Sequence, residues 1–382
     1  VLAVPKSKPL IFAFAGGGTG GHLLPGLAVA EALREKCPQA QIHFFITYRP
    51  IDEQILQPTG YLYTKQWVEP FSLNLWGFLS FAYGLLSSTR DAAASLAVLR
   101  PAAVLGMGGY AAAPVCRTAR RLKIPVALLN PDAAPGRANR WLASRAQKIF
   151  AQWECTADFL RRKTKAQVLV TGCPIRKQIL LATKEDGLRK FDLQAGKRVL
   201  LVPGGSQGAM NVNLTVIELL GELDRFADRW QILHLTGPGK LEVVRQAYQQ
   251  AGLKIHYKLV DFTLDMPEAL AAADLVLSRA GASSLAEFTA RRLPAVLMPY
   301  PYDRDQHQLA NAKCLADTGA AVIVPDRCDS RANAEAVGEV LLDLMASQEK
   351  LARMSAAYEP LFKPDAASEV AQQLLHLAFG RS

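Results

Sequence analysis

Two glycine-rich loops, AFAGGGTGGH at 13–22 and PGGSQGAMN at 203–211, hold residues whose types and spacing can do chemistry. Glycines let backbone N–H groups approach a ligand, and a following helix aims the positive end of its dipole at an anion placed there. Gly16, Gly17, Gly18, Thr19, Gly20 and Gly21 carry almost no side chain, and His22 ends the run just before a helix expected from about Pro25. Beside a helix N-terminus the imidazolium form is disfavoured, so His22 is expected to be neutral near pH 7 and able to accept a proton. A histidine that merely hydrogen-bonds the loop fits the same pattern. In the second loop Ser206 and Gln207 offer donors between glycines, and a diphosphate is the natural ligand, a plain strand-to-helix turn the alternative.

The stretch SRAGASSLAEFTARRLPAVLMPYPYDRDQHQLANA at 278–312 adds groups suited to a sugar nucleotide. Glu287 is expected over a turn into a helix, where an ionised carboxylate accepts hydrogen bonds from two vicinal hydroxyls. Asp305, Gln306, His307 and Gln308 form a polar cluster suited to sugar hydroxyls, although each alone fits an ordinary surface. Gly16, Gly18 and Gly21 also satisfy GxGxxG, which opens a dinucleotide-binding reading. That reading needs an acid after the second strand, about 20 residues on, to hold a ribose. The second strand, QIHFFIT at 41–47, is followed by Tyr48 and Arg49 instead.

The elements that must position these groups recur in one pattern. LIFAFA, AAVLGMGG, RVLLVPGGSQGA and DLVLSRAG are apolar strand-like runs that end in small residues and lead into helical patterns. Strands without polar alternation between helices predict parallel sheets covered on both faces. A chain of 382 residues with 50% hydrophobic content exceeds one ordinary core, and the two glycine loops lie about half a chain apart. The expectation is therefore α/β, with two doubly wound Rossmann-like domains joined near TGCPIRK at 171–177. The closing PDAASEVAQQLLHLAFG at 364–380 reads as an amphipathic helix with Asp365 as its N-cap.

Charge is unevenly spread. The net +10 sits in the first half, where residues 1–173 carry 20 Lys and Arg against 9 Asp and Glu, which suggests either a polyanionic surface partner or a solvated basic face. The six cysteines show no metal spacing and read as reduced cytosolic thiols, and no signal peptide is recognised. The apolar stretch 71–86 is too short to span a bilayer.

In this order GGGTGGHLLPGLAVA, GMGGY, PGGSQGA, SRAGASSLAE and DQHQLANA resemble the MurG family of peptidoglycan glycosyltransferases, family 28, over nearly the whole chain. The resemblance implies a GT-B architecture, two Rossmann-like doubly wound parallel-sheet domains facing across a cleft. It assigns 1–172 plus 365–382 to an acceptor- and membrane-binding domain, and 173–364 to a UDP-GlcNAc-binding domain. It implies an inverting transfer of N-acetylglucosamine from UDP-GlcNAc to the C4 hydroxyl of MurNAc in lipid I, forming lipid II, with no cofactor and no metal. By motif, Ser206 and Gln207 meet the donor diphosphate and sugar, Arg176 lies beside the nucleotide, and Glu287 binds the ribose. Phe262, Thr263 and Met266 correspond to the uracil pocket, and His307 and Gln308 to the pair that grips sugar hydroxyls. Gly16 to Gly21, His22, Tyr110 and Asn139 fall on the acceptor side.

One departure stands out: where the family carries His-Glu-Gln-Asn, this chain reads Leu129, Asn130, Pro131, Asp132. That leaves His22 and Asp132 as rival catalytic bases. It also keeps open a GT-B enzyme with another lipid acceptor, an epimerase of similar architecture, or a silent nucleotide-sugar-binding module. Trp76, Phe78, Leu79 and Phe81, in the basic half, fit an interfacial anchor on an anionic inner-membrane surface at the cytoplasmic face, a buried core helix being the alternative. No nucleic-acid partner is expected.

Overall fold

The computed structural model describes residues 10–68, 75–205, 208–302 and 305–380, and for residues 75–82 the backbone only. Two compact units divide them. One comprises the chain up to Pro131, Pro135–Ile175 and Asp365 onward; the other comprises Asp132–Ala134 and Arg176–Pro364.

In the first unit, seven parallel strands among the described residues form one sheet: β1 (Ile11–Gly16), β2 (Gln41–Thr47), β3 (Leu62–Gln66), β4 (Ala103–Gly108), β5 (Val126–Asn130), β6 (Lys148–Ala151) and β7 (Gln167–Val170). Their order is β3-β2-β1-β4-β5-β6-β7. Both faces are covered, which explains why β1 reads as an unbroken apolar run. Phe12 and Phe14 enter a core with Leu23, Leu27 and Leu33 of α1 (Gly20–Lys36), whereas Ala13 and Ala15 face a second core that includes Val115 and Ala119. Two further helices matter below, α2 (Pro50–Leu56) and α3 (Leu75–Leu99).

α1 begins at Gly20 rather than near Pro25, which lies inside it. Proline marks a helix start because it has no N–H to give, but here the small residues ahead of it already take helical geometry. Thr19 is the N-cap and makes no side-chain cap bond. The final helix, Ala366–Phe379, packs Val370, Ala371 and Leu374 into the core that α1 shares, and the Lys148 ammonium donates to the Gln373 side-chain oxygen. Asp365 occupies its N-cap position, yet its side chain makes no cap bond; its carbonyl accepts from Glu369 N at 2.8 Å.

The second unit holds six parallel strands among its described residues: β8 (Arg198–Pro203), β9 (Trp230–Leu235), β10 (His256–Val260), β11 (Leu275–Ser278), β12 (Ala295–Leu297) and β13 (Ala321–Ile323). Their order is β10-β9-β8-β11-β12-β13. Trp230 Nε1 donates to Met345 O at 3.0 Å and Tyr358 OH to Leu293 O at 2.6 Å, so the large polar-tipped side chains of this core are satisfied inside it. In both sheets the strand order reverses at the first strand of the unit, between β1 and β4 and between β8 and β11. Ligands of open α/β sheets bind at such switch points, and each glycine loop leaves its strand there.

The helix Lys184–Lys190 crosses the helix Met266–Ala272 at a glycine. A Cβ on Gly187 would lie 2.2 Å from Glu268 O and 2.8 Å from Ala272 Cβ, so backbone must shift to admit it. Gly187→Ala is expected to cost the second unit about 1–3 kcal/mol, read as a lowered urea midpoint. A variant as stable as the parent would show that the helices do not cross so closely.

Candidate active site

In the first unit the glycine loop is packed by the protein's own groups. Gly17 has φ +146°, and a Cβ there would lie 2.4 Å from Asp52 Oδ2. Asp52 is fully buried in the first turn of α2, and its carboxylate accepts the Gly18 N–H at 2.9 and 2.8 Å. Thr47 adds its N–H at 3.0 Å and its hydroxyl at 2.6 Å. The Gly18 N–H is thus spent on a carboxylate and is not among those open to an anionic ligand. Asp52 escaped the sequence reading, which sought an acid directly after β2; the readable signal was an acid in the first turn of the next helix.

His22 lies in the first turn of α1, its ring against the end of β4. Gly108, with φ +100°, would put a Cβ 2.9 Å from His22 Nδ1, and Gly109 would put one 3.2 Å from His22 Cδ2. The glycines of GMGGY therefore make room for the imidazole. Tyr110 follows, exposed. The sequence-derived set Gly16 to His22 and Tyr110 is brought to one edge of this sheet, at the ends of β1 and β4.

The segment that departs from the family pattern splits in two. Leu129 and Asn130 are buried at the end of β5, where Asn139 Nδ2 donates to Leu129 O at 2.8 Å and to Asn130 Oδ1 at 2.9 Å. Asn139 is itself buried and shapes this loop from within. Asp132 groups with the second unit: Asn311 Nδ2 donates to its Oδ1 at 3.0 Å, Ala133 N donates to Asn311 Oδ1 at 2.7 Å, and His307 Nδ1 lies 2.9 Å from Ala134 O.

In the second unit, Glu287 is buried in the helix Ala282–Arg291 that follows β11. Burial raises its carboxyl to about 7, opposed by the charge of Arg176. Arg176 N-caps the helix Lys177–Leu181, and its buried Nε has no hydrogen-bond partner among the described residues. Gln308 Oε1 accepts from Ala280 N at 3.2 Å and Tyr300 N at 3.0 Å, so it ties the ends of β11 and β12 together. Phe262 is exposed beyond β10, and Thr263 Oγ1 accepts from Asp265 N at 3.0 Å just before Met266 opens its helix. Ser206 and Gln207 lie outside the described residues; at Gly208 a Cβ would lie 2.7 Å from the Lys240 amine. Lys240 was also missed, since nothing local in GPGK points to the other loop. Among the described residues no cluster of His, Cys, Asp or Glu is arranged to hold a metal ion.

Two doubly wound parallel sheets, each with a glycine loop at its switch point, define a GT-B pair of Rossmann-like units. The comparisons agree. Residues 12–151 match the glycosyltransferase family 28 N-terminal domain and residues 199–370 its C-terminal domain. The chain belongs to glycosyltransferase family 28. It is 36% identical over 366 residues to a Geobacter sulfurreducens protein named UDP-N-acetylglucosamine--N-acetylmuramyl-(pentapeptide) pyrophosphoryl-undecaprenol N-acetylglucosamine transferase, covering 94% of this chain and 97% of that one. A Thermodesulfovibrio yellowstonii protein of the same name is 35% identical, with 94% and 98% covered. The crystal structure of Acinetobacter baumannii MurG superposes with a TM-score of 0.72 at 26% identity, covering 96% of this chain and 99% of that one. A UDP-GlcNAc 2-epimerase from Neisseria meningitidis, bound to UDP-GlcNAc, shares the fold at 16% identity, with a TM-score of 0.67 and 96% and 99% covered. Family membership removes the dinucleotide oxidoreductase reading.

A buried carboxyl with a raised pKa favours the protonated fold. Its contribution is fully present below the ordinary glutamate range and is lost as pH rises through about 7. Relative to Glu287→Gln, the parent is therefore expected to lose up to about 3 kcal/mol of stability between about pH 4.5 and pH 8, measured by urea unfolding. The same parent–variant difference at both pH values would overturn the burial of this charge.

Proposed function

We propose that the chain transfers N-acetylglucosamine from UDP-N-acetylglucosamine to the C4 hydroxyl of the muramyl residue of lipid I, inverting the anomeric centre and forming lipid II. The observation that carries this reading is a glycine loop at the switch point of each unit, in a family 28 chain whose relatives are named for that transfer. The second unit takes the donor. Glu287 accepts the ribose hydroxyls beside Arg176, the segment Phe262, Thr263 and Met266 holds the uracil, and His307 and Gln308 meet the sugar. Ser206 and Gln207 meet the diphosphate ahead of the helix Met210–Glu218.

The first unit takes the acceptor through Thr19, Gly20 and Gly21, with His22 and Tyr110 beside them. His22 removes the proton of the C4 hydroxyl, and that oxygen attacks C1 of the donor sugar from the face opposite UDP. The bond from C1 to the diphosphate oxygen breaks, and its electron pair leaves with UDP. The leaving charge is met by the N-terminus of the helix Met210–Glu218, which supplies the stabilisation without a metal. Asp132 is the rival base. A second reading, a different lipid acceptor, draws on the burial of Leu129 and Asn130 where the family pattern is polar.

A membrane-bound acceptor calls for a peripheral site on an anionic surface at the cytoplasmic face. Tyr48, Trp67, Tyr83 and Leu86 are exposed in the basic first unit, and Tyr48 and Trp67 pack at 5.8 Å between ring centroids. The side chains of Trp76, Phe78, Leu79 and Phe81 lie outside the described residues. No helix among the described residues is long and apolar enough to cross a membrane.

The parent is expected to convert a lipid I analogue with UDP-N-acetylglucosamine, in the presence of EDTA, and to leave diacylglycerol untouched. Glycosylation of diacylglycerol instead selects the second reading. His22→Ala is expected to lower kcat about 100- to 10,000-fold with UDP affinity unchanged; if it stays near the parent while Asp132→Asn is inactive, the base is Asp132. For the surface, Tyr83→Ser with Leu86→Ser is expected to weaken sedimentation with phosphatidylglycerol vesicles without changing UDP affinity. Unaltered vesicle binding would remove these residues from the membrane face.

A further inference from the structure

We propose that Asp52 is a positioning residue, which holds the first glycine loop in the shape that receives the acceptor's diphosphate; this rests on the reading of that loop given above. A carboxylate buried without an ion pair is costly unless hydrogen bonds satisfy it. Asp52 has the Gly18 N–H, the Thr47 N–H and the Thr47 hydroxyl, and it sits in the first turn of α2, where a helix favours negative charge. The loop is gripped from its other side as well. Arg49 Nη1 donates to Gly18 O at 2.8 Å, so the peptide before Gly18 is held by the first turn of α2 and the peptide after it by the residue just ahead of α2.

This grip explains why Gly17 must be bare, because the Asp52 oxygen fills the place a Cβ would take. It also fixes where the chain enters α1. With Gly18 pinned, Thr19 takes the N-cap position of α1 one residue later, and the first turn carrying Gly20, Gly21 and His22 follows in a set register. A run of glycines left to itself samples many shapes, and ordering it on each encounter would weaken ligand binding. Asp52 supplies that order in advance. It contacts no reacting atom and acts through the loop.

Asp52→Asn replaces one acceptor oxygen by an NH2 group, so the Gly18 N–H shared between the two carboxylate oxygens loses one of its acceptors. The expected result in the full chain is an acceptor KM raised about 10- to 100-fold, a smaller fall in kcat, and a UDP-N-acetylglucosamine KM within about twofold of the parent. Exchange of the Gly18 amide, followed by NMR, is expected to speed up by at least about 10-fold. Thr47→Val removes only the hydroxyl donor and is expected to move the acceptor KM in the same direction by less, while Thr47→Ser restores it. An unchanged acceptor KM in folded Asp52→Asn, or equal rises in both KM values, overturns the proposal. Should Asp52→Asn fail to fold, the threonine pair decides: a rise in acceptor KM with Thr47→Val, restored by Thr47→Ser, supports it, and no change overturns it. If the parent transfers to no lipid acceptor, the functional reading falls, and inorganic pyrophosphate becomes the probe. Weaker pyrophosphate binding by Asp52→Asn than by the parent then supports the loop assignment, and equal binding overturns it.

Discussion

Both units depend on neighbouring segments passing close to one another at the carboxyl end of their first strand. In the first, a Cβ on Gly16 would lie 2.9 Å from Met107 Cβ, at the end of the neighbouring strand. In the second, a Cβ on Gly204 would lie 2.6 Å from Leu235 O, and one on Gly237 only 2.3 Å from Gly208 Cα. Parallel strands of a twisted sheet send their carboxyl ends to one edge, and two loops leaving adjacent strands there must cross within van der Waals contact. Bareness at these positions serves the packing of the protein's own loops first.

The buried charges of the two units are handled in opposite ways. Asp52 is surrounded by donors of the protein, which satisfy its oxygens within the fold. Glu287 lacks comparable compensation, and burial carries its carboxyl to about 7 despite Arg176. An acid left in that condition gains from a ligand rich in hydroxyl donors, which supplies what the protein withholds. Asp326 is also met by donors of the protein: burial pushes its carboxyl up, but hydrogen bonds from Asn333, Cys328 N, Asn211 and Arg279 outweigh this and hold it below the usual carboxylate range. The Arg279–Asp326 pair, at 2.7 Å, also joins the end of β11 to the start of the helix Met210–Glu218 through Asn211. Asp52 and Asp326 are thus satisfied by donors of the fold, and Glu287 is not.

Gln308 and Asn139 show a related division of labour. Both belong to motifs that suggest ligand contact, and both spend polar atoms on backbone inside the protein. Gln308 ties the exits of β11 and β12, and Asn139 shapes the loop after β5. Residues of this kind set the geometry of a site whether or not they touch what binds there.

The amino-acid sequence by itself determined the apolar strands that run into small-residue loops, the two α/β halves and the positions of the glycine loops. A strand buried on both faces is a continuous apolar run, and a turn that requires glycine carries glycine, so these signals are local. The resemblance of five ordered motifs added the family. Only the tertiary structure showed that Asp52 holds Gly18, 34 residues earlier, that Lys240 reaches Gly208, and that Asp132 meets Asn311. It likewise started α1 at Gly20, ahead of the proline that marked the boundary in sequence. Those features are contacts between segments distant along the chain, and hydrogen-bond partners at such separations leave no periodicity or spacing to read.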